Sequence, residues 1–224
     1  MIVADNKPVT LIGGAEIKKK LLDRAQSLGP TVVAADGGAD AALYNGVVPS
    51  AVIGDFDSLS EAARDRLPNS ALHKIPDQDT TDFDKCLRNI DAPLVIGIGF
   101  SGNRLDHQLA AYNTLVRHPD RPCLLLGVEE LVFLCPPSIR LDLKNGTPVS
   151  LFPMGAVEGV SDGLEYPIDG LNFAPDGRVG TSNVAIGPVD ISVTSPKMLV
   201  ILPQESFEMA AKALLCVRSY WPAP

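Results

Sequence analysis

Four short apolar runs in the first half of the chain each stop at a glycine, an aspartate or both. They are Val9–Ile12 before Gly13-Gly14, Thr31–Ala35 before Asp36-Gly37-Gly38, residues 51–53 before the pair Asp55 and Asp57, and residues 94–98 before Gly99. Helix-like segments lie between them, through Leu21, Leu22 and Ala25, through 39–44, and through Leu109, Tyr112, Leu115 and Val116. Such alternation predicts a mostly parallel sheet with flanking helices, a Rossmann-like α/β arrangement. Ligands of open α/β sheets bind at the carboxyl ends of the strands. The polar residues of this chain are therefore expected on one rim.

Within Val52-Ile-Gly-Asp-Phe-Asp-Ser58 two carboxylates follow an apolar run at a spacing of two. A buried strand cannot hold two ionised aspartates without strong partners, because desolvating a charge costs several kcal/mol. The pair is expected just beyond the strand. Mg²⁺ takes a few carboxylate oxygens, retained waters and substrate phosphates, which matches this pattern. A polar turn after a strand explains the same residues about as well taken alone; the repetition along the chain favours the metal reading.

Asp77-Gln-Asp-Thr-Thr-Asp-Phe-Asp-Lys85 predicts a helix capped by Thr81, with Asp84 three residues on. Phe83, Cys86, Leu87 and Ile90 share one face of it, and Asp82 sits in the first turn off that stripe. Gly97-Ile-Gly-Phe-Ser-Gly102 matches the GxGxxG fingerprint of dinucleotide sites, with Glu129 available as a ribose-binding acid. The motif lies on a late strand, however, and Arg104, Asp106 and His107 crowd the helix start. Those groups suit phosphate and metal chemistry better than a nicotinamide. His107 could also simply bond within the fold, and His73 and His118 have no companions at metal-ligand spacing. No GxxxxGK[ST] or GxSxG element occurs. The rim thus carries Asp36, Asp55, Asp57, Asp82, Arg104 and Asp106, a set fit for a metal-bound polyphosphate.

With 224 residues, 46% of them hydrophobic, the chain can bury one large core or two smaller ones. A net charge of −8 argues against nucleic acid as a partner, and Lys18-Lys19-Lys20 reads as a solvated helix face. Cys86, Cys123, Cys135 and Cys216 form no CxxC pair and read as buried free thiols in a reducing compartment. The start lacks the apolar core of a signal peptide, and no stretch approaches the roughly 20 apolar residues of a membrane span. The expected location is the cytoplasm.

Beyond about residue 120 the segments 124–126, 131–135, 149–152 and 199–202 are short, β-rich and separated by Gly, Pro and Asn-Gly. That texture predicts an antiparallel sandwich or barrel, with Asn145-Gly146 and Asp176-Gly177 as hairpin turns. The boundary is placed near Pro136-Pro137, giving domains 1–135 and 136–224. Residues 205–220 read as a closing amphipathic helix, with Trp221 packed at a domain or dimer interface.

These residues resemble the thiamin pyrophosphokinase (thiamin diphosphokinase) family. The resemblance runs through Asp36-Gly-Gly38, Pro49, Gly54-Asp-Phe-Asp-Ser58, Gln78-Asp-Thr-Thr-Asp-Phe-Asp-Lys85, Gly99-Phe-Ser-Gly-Asn-Arg-Leu-Asp-His107, Gly163-Leu-Glu-Tyr-Pro167 and Gly180-Thr-Ser-Asn183. It implies an α/β catalytic domain followed by an all-β sandwich that binds thiamin, in a homodimer with the vitamin near the subunit interface. It further implies transfer of the pyrophosphoryl group of ATP, the co-substrate, to thiamin. In that picture Asp55, Asp57 and Asp82 hold Mg²⁺, and together with Arg104 carry the catalysis. Asp36, Gly37, Arg104, Asp106 and His107 border the nucleotide. Gln78 and Asp82 lie near the accepting alcohol, and Thr181, Ser182 and Asn183 contact thiamin. Two residues depart from the family pattern: Asn103 stands where paired glycines are common, which would require it to adopt a tight backbone turn, and Val184 stands where an acid is common. A phosphotransferase for another alcohol, or a sensor of thiamin or nucleotide without turnover, are the alternative readings.

Overall fold

The computed structural model describes residues 1–102 and 104–223. The backbone turn expected of Asn103 lies outside the described residues. The protein is a mixed α/β chain dominated by sheet, and it divides into two compact units, Met1–Thr114 with Leu125–Gly127, and Leu115–Leu124 with 128 onward.

The first unit contains β1 (Val3–Ala4), β2 (Val9–Ile12), α1 (Lys19–Leu28), β3 (Thr31–Ala35), α2 (Gly38–Tyr44), β4 (Ala51–Gly54) and α3 (Glu61–Arg64). It continues through β5 (Leu72–Lys74), α4 (Asp82–Leu87), β6 (Ile90–Asp91), β7 (Val95–Ile98) and the start of α5 (Leu105–Arg117). Strands β7, β2, β3, β4 and β5 pair in that order, all parallel. Every residue of β2, β4 and β7 is buried, which is why these strands read as continuous apolar runs. Because Ile12 lies opposite Ala34 and Ile98, and Ala35 opposite Ile53, the strand ends align. Gly13 N then donates to Ile98 O and Asp36 N to Ile53 O, carrying the ladder one residue past the strands.

Helix α1 turns Leu21, Leu22 and Ala25 inward and leaves Lys18, Lys19 and Lys20 in solvent, as amphipathic spacing predicts. Helix α4 starts where expected: Asp84 N donates to Thr81 Oγ1 at 3.2 Å, and Phe83, Cys86 and Leu87 are buried.

The second unit follows β8 (Cys123–Leu126), which spans the division, with β9 (Glu130–Leu134), β10 (Ser138–Leu141), β11 (Pro148–Pro153) and β12 (Val157–Leu164). Then come β13 (Asn172–Phe173), β14 (Gly180–Val193), β15 (Met198–Pro203) and α6 (Phe207–Leu215). The strand pairs β9–β15, β15–β11, β11–β14, β14–β12, β12–β13 and β10–β14 are all antiparallel. Alternating burial along β11 leaves one face on a core, the period-2 pattern of such sheets.

Three expectations need correction in this unit. Asn145-Gly146 is not a hairpin turn: β10 pairs with the later half of β14 and β11 with the earlier half, so the two run in the same direction. The last helix ends at Leu215 rather than 220, and the Tyr220 hydroxyl returns to donate to Leu214 O, satisfying one of the open carbonyls. Cys216, just past that end, is exposed, whereas Cys86, Cys123 and Cys135 are buried. The Trp221 indole N–H donates to Cys135 O at 2.9 Å.

Strand β12 shifts register against β14 between Asp162 and Leu164, and Gly163 sits at the shift with φ +80°. A Cβ on Gly163 would lie 2.0 Å from Pro188 O, while Gly170, at φ +72°, faces open space. Gly170→Ala should therefore cost only the left-handed backbone, about 1–2 kcal/mol. Gly163→Ala should cost about 3 kcal/mol or more, since a backbone clash adds to it. Urea midpoints of the two variants check this ordering.

Candidate active site

The aligned strand ends open into a cleft of about 620 Å³ in the first unit, bordered by Asp36, Gly37, Asp82, Phe100, Arg104 and His107. Its floor depends on two loops in backbone contact. A Cβ on Gly13 would meet Gly99 O at 2.5 Å, and Gly99 has φ +75°, so neither position accepts a side chain without rearrangement. Gly97 lies within β7, where a Cβ would strike Leu125 at 2.6 Å; this first glycine of the GxGxxG pattern serves sheet packing. Phe100 stacks on Phe83 with ring centroids 4.5 Å apart, which ties the cleft wall to α4.

Three carboxylates converge beside the cleft, and Asp36 lines it. Asp36, Asp55 and Asp57 each bring one oxygen to within 4.8 Å of the others. Asp36, following β3, is left-handed at φ 42°, and Phe56, between the two other aspartates, at φ 67°. These turns direct the chain so that Phe56 N donates to Asp36 Oδ2 at 3.1 Å. Asp36 Oδ1 is buried and has no hydrogen-bond partner, although the residue is only 1% exposed. A buried, unpaired carboxylate oxygen beside two further carboxylates is a donor set waiting for a hard cation.

Asp82, expected among the metal ligands, lines the same cleft but is engaged differently. Its Oδ1 accepts from Lys85 Nζ at 2.9 Å, and the same ammonium reaches Asp55 Oδ2 at 3.3 Å. Lys85 is 2% exposed, so this is a buried cation with two anionic partners. Gln78, expected near an acceptor alcohol, donates through Nε2 to Asp55 Oδ2 at 2.7 Å.

The electrostatics follow from this wiring. Burial pushes the Asp55 carboxyl up, but hydrogen bonds from Gln78 and Lys85 outweigh it and hold the group below its ordinary value. Burial likewise disfavours the Lys85 ammonium, and its bonds to Asp82 and Asp55 reverse that, leaving it raised. Asp36 has no such cation: burial first, then the charge of Asp82, lift it from the usual 3.8 to about 6.

On the other side of the cleft Arg104 Nη2 donates to Asp106 Oδ2 at 2.6 Å, and both side chains are 66% exposed. That bond holds the Asp106 carboxyl below its usual range. The guanidinium stands at the cleft border, where a phosphate could exchange with Asp106 for its fork of donors.

The remaining expected residues lie in the second unit. Thr181 and Ser182 are exposed, and Ser182 is left-handed at φ 63°. Asn183 is buried: its Oδ1 accepts from Tyr166 N and Val184 N, and one N–H of Nδ2 donates to Tyr166 O at 2.7 Å. It acts as a clamp on the Tyr166 loop, leaving Tyr166 62% exposed.

Sequence reasoning passed over Lys85, Phe100 and Tyr166. Lys85 had a usable signal, since it follows Asp82 by three in a helix and so must lie beside it; the other two had none.

Residues 22–125 match the family model described as "Thiamin pyrophosphokinase, catalytic domain", and residues 138–198 that described as "Thiamin pyrophosphokinase, vitamin B1 binding domain". "Thiamine pyrophosphokinase 1" of Arabidopsis thaliana is 28% identical over 162 residues, covering 64% of this chain and 61% of the plant protein, so the match spans less than two thirds of that relative. "Thiamine pyrophosphokinase 3" of Oryza sativa subsp. japonica is 28% identical over 200 residues, 74% of this chain and 73% of that protein. Among solved structures, the thiamin pyrophosphokinase of Candida albicans superposes with a TM-score of 0.74 at 17% identity, covering 90% of this chain and 92% of that one. The Bacillus subtilis structure gives 0.70 at 21% identity, over 88% and 98%. At these identities the structural likeness establishes a shared fold.

The raised Asp36 carboxyl has a consequence for stability. Between 3.8 and about 6 the folded chain holds a proton that the unfolded chain has released. Stability of the cation-free protein is therefore fullest below the lower value and falls as pH rises through the upper one, by up to about 3 kcal/mol. Asp36→Asn should abolish that fall and exceed the wild type in stability above about pH 6. Urea unfolding in a chelator, repeated across this range, measures it.

Proposed function

The chain belongs to the thiamin pyrophosphokinase family, and we propose that it transfers the pyrophosphoryl group of ATP to the hydroxyl of thiamin, giving thiamin diphosphate and AMP. The observation that carries this reading is the convergence of Asp36, Asp55 and Asp57, with Asp36 Oδ1 buried and unpaired, beside the cleft that Asp36 lines. Three hard oxygen donors fit Mg²⁺, which when bound supplies charge neutralisation to the phosphates. Asp82 stands beside this set as the fourth carboxylate named for the metal.

In the reaction the thiamin alcohol oxygen bonds to the β-phosphorus of ATP as the bond between that phosphorus and the α,β-bridging oxygen breaks. The electron pair leaves with AMP, and the alcohol proton is released. Little covalent chemistry falls to the protein, so positioning dominates. Asp82 takes the hydrogen bond of the alcohol at the cleft, and Gln78 keeps Asp55 in place. Arg104 holds phosphate oxygens bidentately, and Asp36, Gly37, Asp106 and His107 border the nucleotide.

The Rossmann-like catalytic domain is assigned to residues 1–135, of which 115–124 and 128–135 cluster with the second compact unit, and residues 136–224 to a β-sandwich that binds thiamin and ends in the last helix. The two matched segments fall on either side of that boundary. Thr181, Ser182 and the Tyr166 ring, set by Asn183, meet the vitamin near the subunit interface of a homodimer. Thiamin is a cation and an exposed aromatic face suits it. The enzyme works in the cytoplasm: buried free thiols at Cys86, Cys123 and Cys135 suit a reducing compartment. Among the described residues no helix is long and apolar enough to cross a membrane.

Phosphorus NMR with Mg-ATP and thiamin tests the reaction. AMP and thiamin diphosphate should appear together. ADP with thiamin monophosphate would mean γ-phosphoryl transfer, and absence of turnover would favour another alcohol or a sensor. Asp57→Asn should lower turnover by on the order of 100-fold or more. Tyr166→Ala should raise the KM for thiamin by about tenfold, a loss of about 1.4 kcal/mol, with kcat retained; steady-state kinetics separate the two variants.

A further inference from the structure

Asp55 has two differently employed oxygens. Its Oδ2 accepts from both Gln78 Nε2 at 2.7 Å and Lys85 Nζ at 3.3 Å, while its Oδ1 receives only a long 3.4 Å contact from Asp57 N. One side of the carboxylate is thus turned to a fixed cation, and the other is left for the group formed with Asp36 and Asp57. Lys85 Nζ, bonded also to Asp82 Oδ1 at 2.9 Å, is enclosed between two carboxylates and nearly inaccessible to solvent. Asp36, the third member of that group, keeps its buried Oδ1 without a hydrogen-bond partner.

The arrangement has the form of a two-cation phosphoryl-transfer centre, in which a shared carboxylate lies between two positive charges. We propose that Lys85 is a positioning residue occupying the second cation position, so that Asp55 bridges the Lys85 ammonium and one divalent ion held with Asp36 and Asp57. The inference rests on the metal reading above. An ammonium anchored on α4 cannot exchange with the medium, so it keeps Asp55 and Asp82 oriented whatever the cation concentration. It also limits the protein to a single divalent ion of its own, leaving any further ion to arrive with the nucleotide.

Equilibrium dialysis of Mn²⁺ against the full chain without nucleotide, with electron paramagnetic resonance of the bound ion, tests this. The wild type should bind one Mn²⁺ per chain, displaced by Mg²⁺, with the spectrum of an isolated ion. Lys85→Ala, which removes the ammonium and leaves room between Asp55 and Asp82, should bind two and show a spin-coupled pair, and Lys85→Arg should return to one. Lys85→Ser, leaving a hydroxyl and room for water, gives the same two-ion expectation if the alanine variant does not fold. Two ions on the wild type, or one on a folded Lys85→Ala or Lys85→Ser, would overturn the role given to Lys85. No Mn²⁺ on the wild type would instead overturn the metal reading, and the inference with it.

Discussion

Repulsion among Asp36, Asp55, Asp57 and Asp82 is the constraint that the first unit is arranged to satisfy. Two unit charges 4 Å apart near a protein surface repel by about 4 kcal/mol, and several such pairs meet here. Lys85 relieves part of this, and it can do so only because α4 is held in place by Phe83, Cys86 and Leu87 in the apolar core. A lysine buried without partners would lose its charge or the fold; between Asp55 and Asp82 it keeps both. The hydrophobic packing of one short helix therefore decides the electrostatics of the cleft. What remains uncompensated falls on Asp36, where burial and the neighbouring charge of Asp82 raise the carboxyl to about 6.

Backbone strain follows the same geography. Asp36, Phe56 and Ser182 are left-handed non-glycine residues, and each belongs to, or adjoins, a residue assigned to substrate or metal. Each costs on the order of 1–2 kcal/mol and persists because its surroundings fix it. Asp36 is tied by its N–H to Ile53 O and by Oδ2 to Phe56 N, so the two strained turns hold one another. The reward is directional: the carboxylates of two adjacent strand ends face one point.

Much of the first unit was legible because the parallel ladder aligns strand ends, and strand ends carry the punctuation that sequence displays best. Val9–Ile12 and Thr31–Ala35 have the expected bounds, and Thr81 caps α4. Lys85 was hidden because lysine reads as solvated unless its neighbours across the fold are known; Asp55 lies thirty residues away in sequence. Asn145-Gly146 misled because the dipeptide reports a local reversal, not which strands pair, and β14 is long enough to take β10 and β11 along one edge. The last helix was overextended because apolar spacing continues past Leu215, although Tyr220 turns back to cap it.

Hydrogen-bond completeness separates scaffold from chemistry in both units. Asn183 commits its side-chain oxygen and one amide N–H to Tyr166 and Val184, which shapes the Tyr166 loop. Asp55 is half committed, and Asp36 keeps one buried oxygen without a partner. Leaving such an oxygen unpaired costs the folded state about 1–3 kcal/mol or more. A cation that binds the folded chain and not the unfolded one offsets that cost by mass action. Stability and cation occupancy would then be linked through the same atom, Asp36 Oδ1.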